Sequence, residues 1–352
     1  MRLAFLSSTP PSPTEGSGTF VALDGLLRGL TRLGHEAIFR PLGVRTGFHT
    51  LDRWLYNVGV AARPPATDVM VGVDLDGYLW ARRRGPTPFV VALKGIIADE
   101  LQNERGWTRT LLGVQARWER ANVQAADRVV VPSRYSAGVA AEMYQIPPPR
   151  IAIVPEPIDL GQWRHRLAAA GCRGNTRPTV LSVARMYPRK RLDDLLRAAA
   201  LLRDRIPEVQ VRIVGDGPMS ERLRRLHEEL ALGESVVLLG EVSRTRLSVE
   251  YVSAHCFCLP TVQEGFGLVF AEAMAAGLPV VACRAAAVPE IVAEGRTGLL
   301  VSPKRPDELA AAMEQVLVND GLRKELGEEA RRRVELYDLV GVASRFLEVL
   351  PR

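Results

Sequence analysis

The run QEGFGLVFAEAMAAGLPVVAC, Gln263 to Cys283, is the part of this chain that decides its fold class. Gly265 and Gly267 bracket Phe266, and Leu268 to Ala276 are strong helix formers that stop at Gly277 and then Pro279. A tight turn therefore feeds a helix N-terminus, as in a doubly wound α/β sheet. The first amides of such a helix have no intrahelical acceptor, and the helix dipole adds partial positive charge. Glycine lets a ligand approach the backbone closely, so the turn from Gly265 through Phe266 and Gly267 to Leu268 suits an anion such as a diphosphate. Glu264 lies just before the turn and Glu272 about one turn inside the helix, so two carboxylates flank the anion position and can bind vicinal hydroxyls. Read alone, the run leaves two possibilities open: a site for a phosphorylated, hydroxyl-bearing ligand, or an ordinary sheet helix with two solvated glutamates.

Outward from this run, short apolar stretches alternate with helical ones: Leu3–Leu6, Val69–Val73, Phe89–Leu93, Val129–Val131, Thr179–Val183, Val209–Val214, Val236–Leu239 and Cys256–Leu259. Buried parallel strands read this way. Pro147-Pro148-Pro149, a strand at Ile151–Val154 and the run VPEPID are followed by a loose polar stretch to Pro178, which puts a domain junction near Ile158. The expectation is α/β with two doubly wound domains, one covering residues 1–157 and one covering 158–337, facing one another across a cleft lined by the carboxyl ends of both sheets.

At 352 residues the chain suits two domains of common size, and 47% hydrophobic residues is enough to fill two cores. The net charge of +6 is evenly spread: 18 cations to 15 anions in residues 1–160 and 28 to 25 in 161–352, which is +3 in each part. That balance argues against a dedicated nucleic-acid face, while leaving room for phosphate donors and for peripheral contact with an anionic membrane surface. No apolar run reaches 18 residues, and Leu3 to Leu6 is too short for a signal peptide, so the expected location is the cytoplasm or the inner face of the membrane. The four cysteines, Cys172, Cys256, Cys258 and Cys283, lack zinc spacing and read as reduced core residues, and no metal site is expected. The pattern leaves the oligomeric state undetermined.

Further residues carry chemistry. Arg185 and Lys190 sit in SVARMYPRKRLDDLL, between a strand and a helix starting near Leu192, where two cations at a sheet's carboxyl edge can neutralise a leaving diphosphate. Val214-Gly215-Asp216-Gly217-Pro218 is a strand-end turn, and Glu241-Val242 follows another strand. Gly16-Ser17-Gly18 opens a helix to Leu33 and makes a second anion-friendly turn, without the third glycine of a dinucleotide fingerprint.

Together these runs resemble the GT-B glycosyltransferases of family 4, the retaining group that uses nucleotide-sugar donors. Glu264 and Glu272 stand at the two acidic positions of the family's E-x7-E signature. Arg185 and Lys190 match its G-R-x-x-x-x-K-G, with Ala184 and Arg191 in place of the glycines. The resemblance implies that Glu264 lies against the donor sugar, Glu272 hydrogen-bonds the ribose, and the amides from Gly265 to Leu268 hold the diphosphate. It also implies that Gly16 and Gly18 face the phosphates, that Gly215 and Gly217 lie beside the nucleotide, and that backbone near Val242 holds the base. No cofactor is implied; a UDP- or GDP-sugar is the co-substrate, and the partner is a carbohydrate or lipid-linked acceptor. The family's second domain binds the donor and its first the acceptor, and a last helix, here about 338–352, crosses back onto the first domain.

The chain departs from the family in two further places. Lys94 in VVALKGI stands where members commonly have histidine, and Glu156 in EPID replaces the asparagine of N-G-[VI]-D. Lys94 is expected to contact the donor sugar or diphosphate; the other reading is a solvated lysine. Asp74-Leu75-Asp76 is discounted as a metal-binding D-x-D, with Asp76 kept as a candidate lining residue on the acceptor side. Arg82–Arg84 reads as a solvated helix end or an anionic-lipid contact. The expected activity is sugar transfer with retention to an acceptor hydroxyl in cell-surface polysaccharide or glycolipid synthesis. The alternatives are an epimerase or phosphorylase of the same architecture, or an inactive nucleotide-binding scaffold.

Overall fold

The computed structural model describes residues 1–10, 17–43, 45–171 and 177–351. Gly16 and Cys172 lie outside the described residues. The chain divides into two compact units, Met1–Pro157 with Tyr337–Arg352, and Ile158–Leu336.

The first unit is built on a six-stranded parallel sheet. Its strands are β1 (Arg2–Leu6), β2 (Glu36–Arg40), β3 (Val69–Val73), β4 (Phe89–Ala92), β5 (Arg128–Val131) and β6 (Ile151–Ile153), in the order β2-β1-β3-β4-β5-β6. The order reverses between β1 and β3, as in one of the two common doubly wound arrangements. Both faces of β1, β3 and β4 are covered, which is why they read as unbroken apolar runs. The helix Leu339–Glu348 packs against the helix Ser17–Arg32, and the approach is close: a Cβ added at Gly29 would lie 2.5 Å from the Leu339 carbonyl oxygen and 2.8 Å from the Ala343 Cβ. Arg84, at the end of the Arg82–Arg84 run, forms a fork with Asp127 at 2.5 and 2.6 Å. Arg82 and Arg83 are exposed, as a solvated helix end would have them, and Arg84 alone is tied down by the pair.

The second unit has its own six-stranded parallel sheet, made of β7 (Thr179–Val183), β8 (Gln210–Val214), β9 (Val236–Gly240), β10 (Cys256–Leu259), β11 (Val280–Cys283) and β12 (Gly298–Val301). Its order, β12-β11-β10-β7-β8-β9, is the 3-2-1-4-5-6 arrangement of dinucleotide-binding sheets read from the other edge. The switch point therefore lies between β7 and β10. Cys256, Cys258 and Cys283 are buried free thiols on β10 and β11, and burial pushes the Cys256 and Cys283 thiols up to about 12.

Three strands, β2, β11 and β12, lie outside the runs read as strands. β2 is a part-exposed edge strand flanked by Glu36 and Arg40, and β11 and β12 are only four residues each. The polar stretch after Ile158 is not a loose connection. It holds the helix Leu160–Ala170, whose first turn is capped by the Asp159 carboxylate accepting from the Gln162 amide at 2.9 Å.

Candidate functional site

The carboxyl ends of neighbouring strands in the second unit converge at the switch point. Arg185 follows β7, Gly215 follows β8, Glu241 and Val242 follow β9, and Glu264 follows β10. Backbone bonds stitch these loops together. The Ala184 and Met186 amides donate to the Val214 and Asp216 carbonyls, both at 3.0 Å, the Gly215 amide to Gly240 at 2.8 Å, and the Val262 amide to Arg189 at 3.0 Å.

Gly215 and Gly217 owe their identity to this stitching. A Cβ at Gly215, where φ is +124°, would lie 2.0 Å from the Ala184 carbonyl oxygen, and one at Gly217 would lie 2.8 Å from the Met186 amide nitrogen. The two glycines let the loop that bears Arg185 settle onto the end of β8. That is a reason for them which sequence reading, looking for a ligand turn, did not find.

Lys190 and Glu264 form an ion pair across the switch point, with side chains only 12% and 11% exposed. A charge pair so enclosed is costly to desolvate, and the attraction between its members repays that cost only in good geometry. The Lys190 ammonium thus fixes the Glu264 carboxylate just ahead of the turn. Arg185 reaches Glu241 at 3.5 Å and stays more open, at 39% exposed.

The turn itself is as the glycines require. Gly267 has φ +90° and heads the helix Leu268–Ala276; a Cβ there would lie 2.6 Å from the Phe270 ring. Phe266 is buried, while Gly265, Leu268 and Val242 are half-buried. The helix ends in a Schellman motif: Leu278 donates to the Ala273 carbonyl at 3.0 Å and Gly277, φ +78°, to Met274 at 2.9 Å.

Glu272 lies one turn into this helix. Its carboxylate accepts from the Tyr251 hydroxyl at 3.0 Å, and its backbone carbonyl accepts from the Trp163 indole at 3.0 Å. Burial pushes the carboxyl up to about 7, opposed by the Tyr251 hydrogen bond and the positive charges of Arg244 and Arg166. Behind it runs an aromatic row: Trp163 and Tyr251 edge to face at 5.3 Å, Tyr251 stacked on Phe257 at 6.2 Å, and Phe257 edge to face with Phe270 at 5.9 Å. Tyr251 and Trp163 had no sequence signal as site residues. They come from separate helices, and only the fold brings them to Glu272.

The remaining candidates belong to the first unit. Gly18 lies in the first turn of the helix Ser17–Arg32 with nothing within 4 Å of an added Cβ. Lys94, after β4, is not a solvated lysine: its ammonium donates to the Glu156 carboxylate at 2.6 Å, with side chains 9% and 6% exposed. Burial raises the Glu156 carboxyl and Lys94 opposes that rise. The two departures from the family pattern are thus one ion pair. Asp74, at φ +55°, accepts from the Lys94 amide at 2.7 Å, and burial pushes its carboxyl up to about 6.

Asp76 does not line an open surface. It is 3% exposed and holds the end of β1 by accepting from the Ser8 amide at 2.6 Å, the Ser8 hydroxyl at 2.8 Å and the Asn57 side chain at 2.9 Å. The D-x-D carboxylates are scaffold. Among the described residues no group of three or more His, Cys, Asp or Glu is placed to hold a metal ion.

Residues 169–333 match the family model described as glycosyl transferases group 1, and residues 71–162 match glycosyltransferase family 4. A curated relative, the GDP-mannose-dependent alpha-(1-6)-phosphatidylinositol monomannoside mannosyltransferase of Mycolicibacterium smegmatis, is 31% identical over 251 residues, 67% of this chain and 64% of that protein. The D-inositol 3-phosphate glycosyltransferase of a Nocardioides species is 33% identical over 253 residues, 66% of this chain and 55% of that protein. The chain thus covers less than two thirds of either relative. Among solved structures, sucrose-phosphate synthase from Thermosynechococcus elongatus superposes with a TM-score of 0.80 at 21% identity over 99% of this chain and 97% of that one. Anabaena HepE in complex with UDP and glucose gives 0.75 at 20% identity over 99% and 98%. The likeness to these structures establishes a shared two-domain α/β fold, that of the GT-B glycosyltransferases.

Proposed function

We propose that this chain, which carries glycosyl transferases group 1 and glycosyltransferase family 4 domains, is a retaining glycosyltransferase that moves a sugar from a nucleoside diphosphate donor to an acceptor hydroxyl. The observation that carries the reading is the Lys190–Glu264 pair at the β7/β10 switch point, with Arg185 on the adjoining loop and the Leu268–Ala276 helix N-terminus beside it.

In this reading the diphosphate docks on the amides from Gly265 to Leu268, where charge grows as the leaving group departs. Arg185 and Lys190 stabilise that charge in place and supply what a divalent cation supplies elsewhere. Glu264, aligned by Lys190, takes hydroxyls of the donor sugar. Glu272 in its ionised form accepts from the ribose, and backbone at Val242 meets the base. The anomeric carbon–oxygen bond to the phosphate breaks, the acceptor oxygen bonds to that carbon on the same face, and the acceptor proton passes to the departing phosphate oxygen. Lys94, held by Glu156 at the carboxyl edge of the other sheet, is the group that the family resemblance sets against the donor sugar.

The co-substrate is a UDP- or GDP-sugar, and no further cofactor is required. Support for those bases comes from the relative named for GDP-mannose and the neighbour solved with UDP. The acceptor is a carbohydrate or a lipid-linked hydroxyl, in cell-surface polysaccharide or glycolipid synthesis at the cytoplasmic face of a membrane. A phosphatidylinositol mannoside enzyme among the relatives favours the lipid class.

Calorimetric titration with UDP, GDP, ADP and NAD tests the donor. Selective UDP or GDP binding is expected, weakened at least tenfold by Arg185→Ala or Lys190→Ala, and NAD binding alone would overturn the reading. With the donor identified, Glu264→Ala should nearly abolish transfer while leaving the fold intact.

A further inference from the structure

Three helices of the second unit, Leu160–Ala170, Arg244–Ser253 and Leu268–Ala276, pack on one another, and the side chain of Tyr251 lies among them. It is fully buried, and its hydroxyl donates to the Glu272 Oε2 at 3.0 Å. Burial and the neighbouring carboxylate push the phenol well above its usual range, so the hydroxyl stays a donor at any working pH. The ring is fixed between Trp163, edge to face, and Phe257, stacked. Trp163 grips the same glutamate from another helix, its indole donating to the Glu272 backbone carbonyl at 3.0 Å.

A core tyrosine can bond a carboxylate merely to satisfy its own hydroxyl. Here, however, the two oxygens of Glu272 are unequal. Oε2 is taken by Tyr251, while Oε1 has no partner among the described residues, and the residue is only half-buried. Arg244 and Arg166 lie near enough for their charges to favour the ionised carboxylate. Other charged groups on the surrounding helices are engaged elsewhere: Arg331, from Asp320–Val334, donates to the Ala276 carbonyl at 3.2 Å, and Glu250 is paired with Arg212 and Arg246. Among the described residues Tyr251 is thus the one that hydrogen-bonds the Glu272 side chain. A carboxylate whose plane is fixed before the ligand arrives loses less freedom on binding. A site built to bond a hydroxyl also discriminates strongly against a ligand that lacks it.

We infer that Tyr251 is a positioning residue: it holds Glu272 so that Oε1 accepts from a ribose hydroxyl, and the site thereby selects ribonucleoside diphosphates over their 2′,3′-dideoxy counterparts. The inference rests on the proposed place of Glu272 at the ribose. Calorimetry of the full chain with UDP, GDP and their 2′,3′-dideoxy forms tests it. Whichever base binds should bind about tenfold or more tighter as the ribonucleotide. Tyr251→Phe keeps the ring packing and should cut that preference to about threefold or less, with dideoxy affinity and circular dichroism unchanged. It should also move upward the pH at which ribonucleotide affinity reaches half its plateau, because the hydroxyl opposes the effect of burial on the carboxyl. In a Glu272→Ala background, Tyr251→Phe should change ribonucleotide affinity by less than about twofold, since it acts through the carboxylate. A preference that survives Tyr251→Phe, an equal fall for ribo and dideoxy forms, or additive losses in the double variant overturns the inference and leaves the donor reading standing. Equal binding of ribo and dideoxy forms by the wild type overturns it by removing Glu272 from the ribose. Binding of none of these nucleotides removes the donor reading, and this inference with it.

Discussion

Glu272→Gln removes a site carboxyl that burial raises to about 7. In the folded chain burial holds it at about 7, against 4.5 for an ordinary glutamate. A folded value above the unfolded one means that the protonated form stabilises the fold. The contribution is complete below about pH 4.5, declines as pH rises, and is lost by about pH 7, above which both states are ionised and the curve is flat. At about 1.4 kcal/mol for each tenfold change in proton affinity, the full excursion is about 3 kcal/mol. Glutamine keeps the acceptor for Tyr251 and cannot ionise, so the variant should match or trail the wild type at pH 4 and gain on it by about 3 kcal/mol at pH 8. For a domain of this size that corresponds to roughly 6–12 °C in melting temperature. Denaturant unfolding of both proteins at pH 4, 5, 6, 7 and 8 reads the difference directly, other titrating groups cancelling in the comparison. Wild-type and variant curves that run parallel from pH 4 to 8 would refute the buried carboxyl. If Glu272 holds the ribose as proposed, the same variant should also flatten a rise of nucleotide affinity through pH 7, because the ionised carboxylate offers more acceptor capacity than the protonated form.

Gly267→Ala forces a side chain to φ +90° and places a Cβ 2.6 Å from Phe270. Denaturant titration should show a loss of about 2–4 kcal/mol together with weaker nucleotide binding, and a loss below about 0.5 kcal/mol would contradict the tight turn. Lys94→Met leaves the Glu156 charge buried without a partner, which costs about 3–5 kcal/mol; the double change with Glu156→Leu should recover most of it, as a double-mutant cycle measures. Gly29→Val should loosen the last helix from Ser17–Arg32, seen as earlier proteolysis after residue 336 and a lower melting temperature.

Much of the geometry around Glu264 and Glu272 is local and therefore legible in the chain. The spacing from Glu264 to Glu272 spans one glycine turn and one helical turn, so backbone stereochemistry alone puts both carboxylates near one helix end. The start at Leu268 and the stop at Gly277 follow from helix propensity and a left-handed cap. The buried central strands are legible because covering both faces leaves nothing but apolar residues. β2 is not, because an edge strand does not need them.

Contacts between distant residues are a different matter. Lys94 and Glu156 are 62 residues apart, and each alone reads as a departure from a family pattern; only the gathering of the β4 and β6 carboxyl ends on either side of β5 in one sheet makes them a pair. Gly215 and Gly217 read as a turn beside a nucleotide, and only the fold shows that the Ala184 and Met186 backbones also require them. The D-x-D aspartates carry the right letters for a metal, and the fold turns Asp76 inward to hold Ser8 and Asn57. The sequence determined the class of fold and the glycine turn ahead of the Leu268–Ala276 helix, since both depend on periodicity and on interactions within about ten residues. Tertiary structure alone decided which charges are paired and which carboxyl titrates near 7, since each depends on burial and on partners that sequence distance does not encode.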